Sequence, residues 1–141
     1  MTYLLDTNVV SEWVKPRPNQ AVSAWLGGLD EDSVFLSVVT LGELRHGFDR
    51  LPAGQRRSRL DEWLRVDLRA RFDRRIIPID EDIADEWGTI VARRAAAGKP
   101  IAVIDAFLAA TANVRRLTLA TRNAADFVSA TKTVVNPWVA R

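Results

Sequence analysis

Short apolar runs that alternate with segments of helical periodicity constrain the fold of this chain more than any other feature. The runs cover residues 3–5, 34–36, 76–79, 117–121 and 133–135. Apolar runs of this length predict buried strands, and Pro78 within the third run favours the edge of a sheet. Because strands that alternate with helices are usually joined by crossovers, the pattern predicts an α/β sandwich around a mainly parallel sheet.

The segments between these runs predict seven helices. They cover residues 6–14, 19–26, 39–51, 55–72, 80–98, 103–114 and 123–128. Asp6 or Thr7 can cap the first of them, and Gly or Pro follows several others, as is usual at helix ends. The chain has no internal repeat, low-complexity tract or Gly/Ser linker, so we expect one domain over residues 1–141.

The composition excludes several kinds of site and favours others only weakly. The chain has no cysteine, which excludes disulfides, thiolate metal sites and a cysteine nucleophile. It has neither a signal-like N-terminus nor the ~18 uncharged apolar residues of a membrane span, so we expect a cytoplasmic protein without a membrane segment. The 20 basic residues comprise 17 arginines and 3 lysines. This bias suits a phosphate-bearing partner but also follows from a GC-rich genome.

Four acids lie where predicted strands end or helices begin, among mostly apolar neighbours: Asp6, Glu43, Asp105 and Asp126. A buried carboxylate is costly unless it is hydrogen-bonded, paired or bound to a cation. Taken singly, Asp6 and Asp105 are better explained as helix caps, because negative charge stabilises a helix N-terminus. For Glu43, inside a helix, an ion pair with Arg45 or an exposed face is the simpler explanation. Spacing alone therefore does not establish a metal site.

Four motifs that occur in a fixed order favour a metal site over helix caps and surface charges. They are LLDTNVVSE from residue 4, SVVTLGELRHG from residue 37, VIDAFLAATA from residue 103 and LATRNAADF from residue 119. In this order and spacing they resemble the PIN-domain family, above all its VapC and FitB toxin branch, from Tyr3 to about Trp138. The resemblance implies a three-layer α/β/α fold with a central mainly parallel sheet. It also implies an acidic pocket that binds Mg²⁺ or Mn²⁺ and cleaves RNA phosphodiester bonds.

The resemblance assigns roles to individual acids. Asp6, Glu43 and Asp105 match the first three acids of the family, which hold the metal. Some members carry a fourth acid where this chain has Asn123, whereas toxins with the TRN form carry one at the position of Asp126. Asp126 is therefore expected to complete the catalytic set, directly or through a water, while Asn123 could instead orient a water or a phosphate.

Three further residues are expected beside this pocket. Thr7 and Thr121 match small hydroxyl positions that flank the acids in the family, and Arg122 is the first arginine to test for substrate binding. The chemistry of the donors points the same way, because a site with oxygen ligands only selects a hard cation such as Mg²⁺ or Mn²⁺ over Zn²⁺.

Other polar and aromatic residues fit structural roles better than catalytic ones. His46 could be a general base but more often such a histidine lies at the surface, and Glu12 is a minor candidate for the pocket rim. Arginine clusters at residues 56–59, 69–75, 93–94 and 115–116 could follow an RNA backbone, but neighbouring acids favour a solvated, salt-bridged face. Trp13, Trp25, Trp63 and Trp87 are expected in the core or at an interface.

The resemblance also implies partners. It predicts a type II toxin held inactive by a VapB- or FitA-like antitoxin, with operator DNA reached only through that antitoxin. A homodimer or a heteromer with the antitoxin is expected, and the walls of the antitoxin groove are the first two helices and helix 55–72. The alternative is a PIN-fold scaffold with weak catalysis in a DNA-binding repressor complex, which the departure at Asn123 leaves open. An aspartyl-phosphate enzyme is disfavoured, because Asn8 stands where such phosphatases have a second acid.

Overall fold

A five-stranded sheet in the order β3-β2-β1-β4-β5 forms the centre of the computed structural model, which describes residues 1–139. The strands are β1 Tyr3–Leu5, β2 Val34–Ser37, β3 Ile76–Ile77, β4 Thr118–Ala120 and β5 Val134–Val135. Each pairs in parallel with its neighbours. The predicted α/β fold with a mainly parallel sheet is thereby confirmed, and the sheet is parallel throughout the described chain.

The side chains of β1 show why the sheet lies between two helical layers. Leu4 and Leu5 are both fully buried, yet they belong to separate apolar cores. Successive side chains of a strand point to opposite faces of the sheet, so a strand without polar residues needs cover on both sides. Leu119 and Ala120 of β4 are divided between the same two cores. The structure therefore has the three layers that the family resemblance implied.

The helices supply this cover. They are α1 Thr7–Val10, α2 Gln20–Gly27, α3 Val38–Asp49, α4 Gln55–Glu62, α5 Arg69–Arg71, α6 Glu81–Ala96 and α7 Val103–Arg115. Short 3₁₀ turns cover Ser11–Val14, Glu31–Ser33 and Ala124–Phe127. The long helices α6 and α7 pack against each other over one face, while α1, α2, α3 and the segment Trp63–Leu68 contribute to the core on the other. In the part of the chain that the structure describes, no helix is long and apolar enough to cross a membrane.

Four elements differ from their sequence predictions. The first predicted helix ends in the 3₁₀ turn Ser11–Val14, and the helix predicted at residues 123–128 is the 3₁₀ turn Ala124–Phe127. The helix predicted at residues 55–72 contains a π-helical segment, Trp63–Leu68, between α4 and α5. Its buried leucines, Leu60, Leu64 and Leu68, recur every four residues. A four-residue repeat is longer than the 3.6-residue turn of an α-helix, so in a regular α-helix these leucines would rotate gradually away from the core. The wider turn of the π-helical segment reduces this rotation. The third strand was predicted too long, because Pro78 lacks the N–H that sheet pairing needs; its predicted edge position is confirmed.

The tryptophans pack as expected. Trp13, Trp25 and Trp63 are partly buried against the core that α1, α2 and α3 cover, and Trp87 packs against the core of α6 and α7. Trp87 also stacks on Phe107, with ring centroids 5.0 Å apart and planes 16° from parallel. These rings therefore serve the interior rather than forming a stacking surface.

The order of the strands sets the place of the site. Chain connections run outward in opposite directions from β1 and β4, and in such sheets ligands bind beyond the carboxyl ends of the strands at this switch point. Asp6 follows β1 and Thr121 follows β4, and the Asp6 N–H donates to the Ala120 carbonyl at 2.9 Å. The two residues are thus held side by side at the carboxyl edge.

We expect Leu4→Ala to lower the free energy of unfolding by about 2–5 kcal/mol, since it removes a fully buried side chain from the central strand. Urea unfolding measures this change. Val66→Ala is the matched control because Val66 is 50% exposed, and its effect should stay within about 0.5 kcal/mol. Equal losses in the two variants would contradict the assignment of the core.

Candidate active site

Asp6 is the most buried acid at this edge, with only 6% of its surface exposed. Its Oδ1 accepts a hydrogen bond from the Thr7 N–H at 2.6 Å, and its Oδ2 accepts one from the Thr121 hydroxyl at 2.7 Å. The first of these bonds makes Asp6 the N-cap of α1, as predicted. Because both oxygens are held, the carboxylate has a fixed orientation at the end of β1.

The pKa of Asp6 is raised from 3.8 to about 6. Burial is the largest cause, because it disfavours the charged form. The hydrogen bonds from Thr121 and Thr7 lower the pKa, whereas the charges of Asp105 and Glu43 raise it. Both other acids therefore lie close enough to act on Asp6, as the family resemblance implied.

Glu43, on α3, is linked to α1 by Thr7. The Thr7 hydroxyl donates to Glu43 Oε1 at 2.5 Å, while the Thr7 backbone N–H donates to Asp6. The alternative ion pair between Glu43 and Arg45 is wrong, because the Arg45 guanidinium contacts Asp61 at 2.8 Å and Asp49 at 3.2 Å. One threonine thus orients two carboxylates from different elements.

Asp105 is half-buried in the first turn of α7, but it does not cap that helix. The N-cap position is Ala102, so the prediction that Asp105 is the cap is wrong, although its charge lies in the first turn, near the helix N-terminus, as expected. Burial raises the pKa of Asp105, and the charges of Glu43 and Asp126 raise it further. Within residues 1–139 no hydrogen bond or ion pair compensates its carboxylate, which is the strongest indication of a cation site at this edge.

The two candidates for the fourth position differ in what they contact. Asp126 is exposed on the turn Ala124–Phe127, and its charge acts on Asp105. Asn123 is also exposed, and its backbone N–H donates to the Thr121 hydroxyl oxygen at 3.1 Å. The electrostatic contact favours Asp126, and its role as the fourth acid stays a prediction.

Thr121 connects these segments and brings in Asn8, a residue that the sequence analysis did not place in the site. The fully buried Thr121 hydroxyl donates to Asp6 and accepts from Asn8 Nδ2 at 3.5 Å. Asn8 Oδ1 in turn accepts from the Arg122 N–H at 3.3 Å. Its position two residues after Asp6, in the LLDTN motif, was the signal that could have identified it.

Arg122 lies on the rim, as its sequence position suggested. Its guanidinium lies over the Trp138 ring, 5.3 Å from the centroid, and its carbonyl accepts from Asn136 Nδ2 at 3.2 Å. The charge of Arg122 also contributes to a lowered pKa of Glu12. Arg122 is exposed.

Glu12 and His46 do not join the acids. Glu12 is 3% exposed, accepts from the Asn19 N–H at 2.7 Å and pairs with Lys15. Burial alone would raise the pKa of Glu12, but the hydrogen bonds from Lys15 and Asn19 outweigh it and the pKa is lowered. Glu12 therefore fastens the turn that leads into α2. His46 is exposed on α3, with no hydrogen bond or ion pair among the described residues.

The carboxylates are the type of ligand that a divalent cation prefers, although they do not lie close enough together to form a complete coordination site. In residues 1–139 no group of three or more Asp, Glu or His side chains is gathered closely enough to hold a metal ion. Like charges repel, and the raised pKa values of Asp6 and Asp105 record that repulsion together with burial. Oxygen ligands without sulfur suit Mg²⁺ or Mn²⁺. The residues therefore fit the ion implied by the family.

A parallel sheet covered on both faces, with carboxylates from separate elements at its switch point, defines a class of α/β proteins with an acidic centre at the carboxyl edge. Within that class the sequence model of the PIN domain matches residues 3–131. The chain belongs to the PIN-domain family, in its FitB- and VapC-like toxin branch.

Three comparisons define this similarity. Toxin FitB of Neisseria gonorrhoeae is 42% identical over 135 residues, which cover 96% of this chain and 97% of FitB. The VapC ribonuclease Y4jK of Sinorhizobium fredii is 35% identical over 96% of each chain. The solved structure of FitAB bound to an IR36 DNA fragment matches with a TM-score of 0.93 at 38% identity, covering 99% of this chain and 98% of the other.

We expect the metal-free protein to lose stability as the pH rises from about 4 to about 6. Over that window folded Asp6, with a pKa of about 6, holds a proton that the unfolded chain, at 3.8, releases. The free energy of unfolding should therefore fall by up to about 3 kcal/mol, at 1.36 kcal/mol for each pKa unit. Urea unfolding in a chelator measures it, and Asp6→Asn should flatten the slope. The same slope in the unmutated protein and in Asp6→Asn would contradict the assignment.

Proposed function

We propose that this chain is the toxin of a toxin–antitoxin pair and acts in the cytoplasm as an endoribonuclease that depends on Mg²⁺ or Mn²⁺. The observation that carries the proposal is the half-buried Asp105 carboxylate, which has no hydrogen bond or ion pair within residues 1–139. Its pKa is raised by burial and then by the charges of Glu43 and Asp126. The names of two relatives, Toxin FitB and VapC ribonuclease Y4jK, support the same activity.

The residues that would hold the metal are Asp6, Glu43 and Asp105, with Asp126 as the fourth acid. A bound Mg²⁺ or Mn²⁺ supplies Lewis-acid stabilisation of phosphate charge and a water of lowered pKa. Thr121 and Thr7 hold the Asp6 carboxylate from both sides, so it does not have to be reoriented when a ligand binds. Such fixed donors keep a site ready for the charge that it must stabilise.

The chain also offers groups for the RNA itself. The N-terminus of α7 lies at the acidic site, since Asp105 is in its first turn, and α3 begins directly after β2 at the same edge. Helix N-termini favour bound phosphate. Arg122 at the rim is the side chain expected to contact the backbone, and Asn123 is placed to orient a phosphate or a water. These groups position RNA without reading its sequence.

A groove between the turn Ser11–Val14 and α4 is the proposed seat of the antitoxin. It has a volume of about 320 Å³ and is lined by Val14, Pro16, Arg56, Arg59, Leu60 and Trp63. Five of these residues belong to the predicted first helix or to helix 55–72, Pro16 lies in the connection that follows the first helix, and the predicted second helix does not line the groove. The FitAB structure is bound to DNA, and we propose that this chain likewise reaches operator DNA through an antitoxin. Assembly as a homodimer, or as a heteromer with the antitoxin, belongs to the same proposal.

The decisive test is the sequencing of RNA ends after brief expression of the wild type and of Asp105→Asn. We expect new, Mg²⁺- or Mn²⁺-dependent ends only with the wild type, and a loss of cleavage of about 100-fold or more in the variant. The variant should fold normally, because the Asp105 carboxylate makes no hydrogen bond within residues 1–139 that the amide would remove. Asp85→Asn, an exposed acid on α6, is the matched control and should cleave like the wild type.

Unimpaired cleavage by folded Asp105→Asn would overturn the ribonuclease proposal. Binding of Mn²⁺ by the wild type without cleavage of any of several RNAs would instead favour the catalytically weak scaffold. The two outcomes are separated by measuring metal binding and cleavage on the same preparation.

Expression with the neighbouring gene tests the antitoxin. We expect a stable complex in which cleavage is suppressed, and recovery of cleavage once the antitoxin is removed by proteolysis or denaturation. Light scattering of the chain alone and of the complex gives the assembly state. A partner-free, inactive monomer from cells that express both genes would contradict the toxin proposal.

A further inference from the structure

Arg94, on α6, is a buried arginine that the sequence analysis placed wrongly. The cluster at residues 93–94 was predicted to lie on a solvated, salt-bridged face, but Arg94 is only 8% exposed. Within the described chain it forms no ion pair with a carboxylate. Because a desolvated guanidinium is costly unless its donors are satisfied, the groups that satisfy it need an explanation.

Backbone carbonyls of two separate loops satisfy those donors. Arg94 Nε donates to the Lys99 carbonyl at 2.8 Å. Its Nη1 donates to the Asp126 carbonyl at 3.0 Å and to the Val128 carbonyl at 3.2 Å. The Lys99 N–H returns a bond to the Arg94 carbonyl at 2.9 Å. Arg94 therefore joins the connection between α6 and α7 to the turn that follows β4.

Each of these segments carries an acid of the site. Lys99 begins the short connection that leads into the first turn of α7, which holds Asp105. Asp126 is itself one of the residues that Arg94 binds. The adjacent Arg93 also binds the segment after β4, because its Nη2 donates to the Ser129 carbonyl at 2.6 Å. Arg94 therefore links the segment that leads to Asp105 with the turn that carries Asp126.

We propose that Arg94 is a positioning residue that holds Asp126 in place as the fourth acid beside Asp105. This inference rests on the metal site of the proposed function. Asp126 is exposed on a four-residue turn, where the fully buried Phe127 is the apolar anchor. Without Arg94 the carbonyls of Asp126 and Val128 lose their donor, and the turn is free to move away from Asp105. Partners behind a metal ligand fix its orientation and thereby tune affinity.

The shape of the guanidinium matters as well as its charge. Arg94 reaches one loop through Nε and the other through Nη1 at the same time. A lysine ammonium is a single point charge and cannot span both acceptors from the same backbone position. Arg94→Lys therefore keeps the charge but breaks the link between the loops.

The test is Mn²⁺ binding to the full chain, measured by calorimetry or electron paramagnetic resonance. We expect Arg94→Lys to weaken Mn²⁺ binding about tenfold, as substitutions behind metal ligands do. The matched control is Arg75→Lys. Arg75 also donates to backbone carbonyls, those of Glu31 and Val34, both at 2.6 Å. It lies at the opposite, amino edge of the sheet, so its loss should reduce thermal stability without changing Mn²⁺ affinity.

A double-mutant cycle separates positioning from general destabilisation. We expect Asp126→Asn to weaken Mn²⁺ binding and Arg94→Lys to add little further loss in that background, because both changes remove the same ligand. Additive losses, equal losses in Arg94→Lys and Arg75→Lys, or unchanged binding in Asp126→Asn would each overturn the inference.

The same measurements keep this inference distinct from the ribonuclease proposal. If the cycle behaves as expected but no RNA is cleaved, the positioning role stands and the ribonuclease activity fails. If RNA is cleaved with metal but Arg94→Lys binds Mn²⁺ like the wild type, the positioning role fails and the activity stands. A wild-type chain that binds no Mn²⁺ would overturn both.

Discussion

Asp6 lies where β1 leaves the sheet, between two parallel strands, and water reaches little of its carboxylate. Two hydrogen bonds, from Thr7 and Thr121, hold it there, yet they do not fully offset the loss of hydration. The pKa of Asp6 therefore stays well above its ordinary value. The two threonines that hold Asp6 also organise the rest of the site. The Thr7 hydroxyl donates a hydrogen bond to Glu43, and the Thr121 hydroxyl oxygen accepts hydrogen bonds from Asn8 and Asn123.

Negative charge accumulates around Asp6 without a basic partner to compensate it among the described residues. Glu43 comes from α3, Asp105 from α7 and Asp126 from the turn after β4, and each contributes to the raised pKa of a neighbour. Natural folds rarely keep such repulsion at a buried edge unless a ligand relieves it. The three-layer fold makes this arrangement possible, since the helices on both faces are rigid supports for acids distant in sequence.

The arginines of this chain illustrate how similar sequence patterns lead to different environments. Arg71 and Arg115 pair with acids at the surface, as the interspersed charges predicted. The guanidinium groups of Arg94 and Arg75 donate hydrogen bonds to backbone carbonyls and hold loops at opposite edges of the sheet. A guanidinium can do either, because its planar fork binds carbonyls as well as carboxylates. Only the packing around each helix decides between the two.

The sequence by itself determined the strands and most of the helices, because apolar periodicity is a local property. Motif order, through the family resemblance, singled out Asp6, Glu43 and Asp105, whose role as metal ligands stays a prediction. It also placed Thr7 and Thr121 beside the acids through the family resemblance. Tertiary structure alone decided that Asp105 is not a helix cap, that Arg45 turns away from Glu43 and that Arg94 is buried. It also brought Asp126 within electrostatic reach of Asp105. These outcomes depend on contacts between segments far apart in the chain, whose burial and charge no local pattern records.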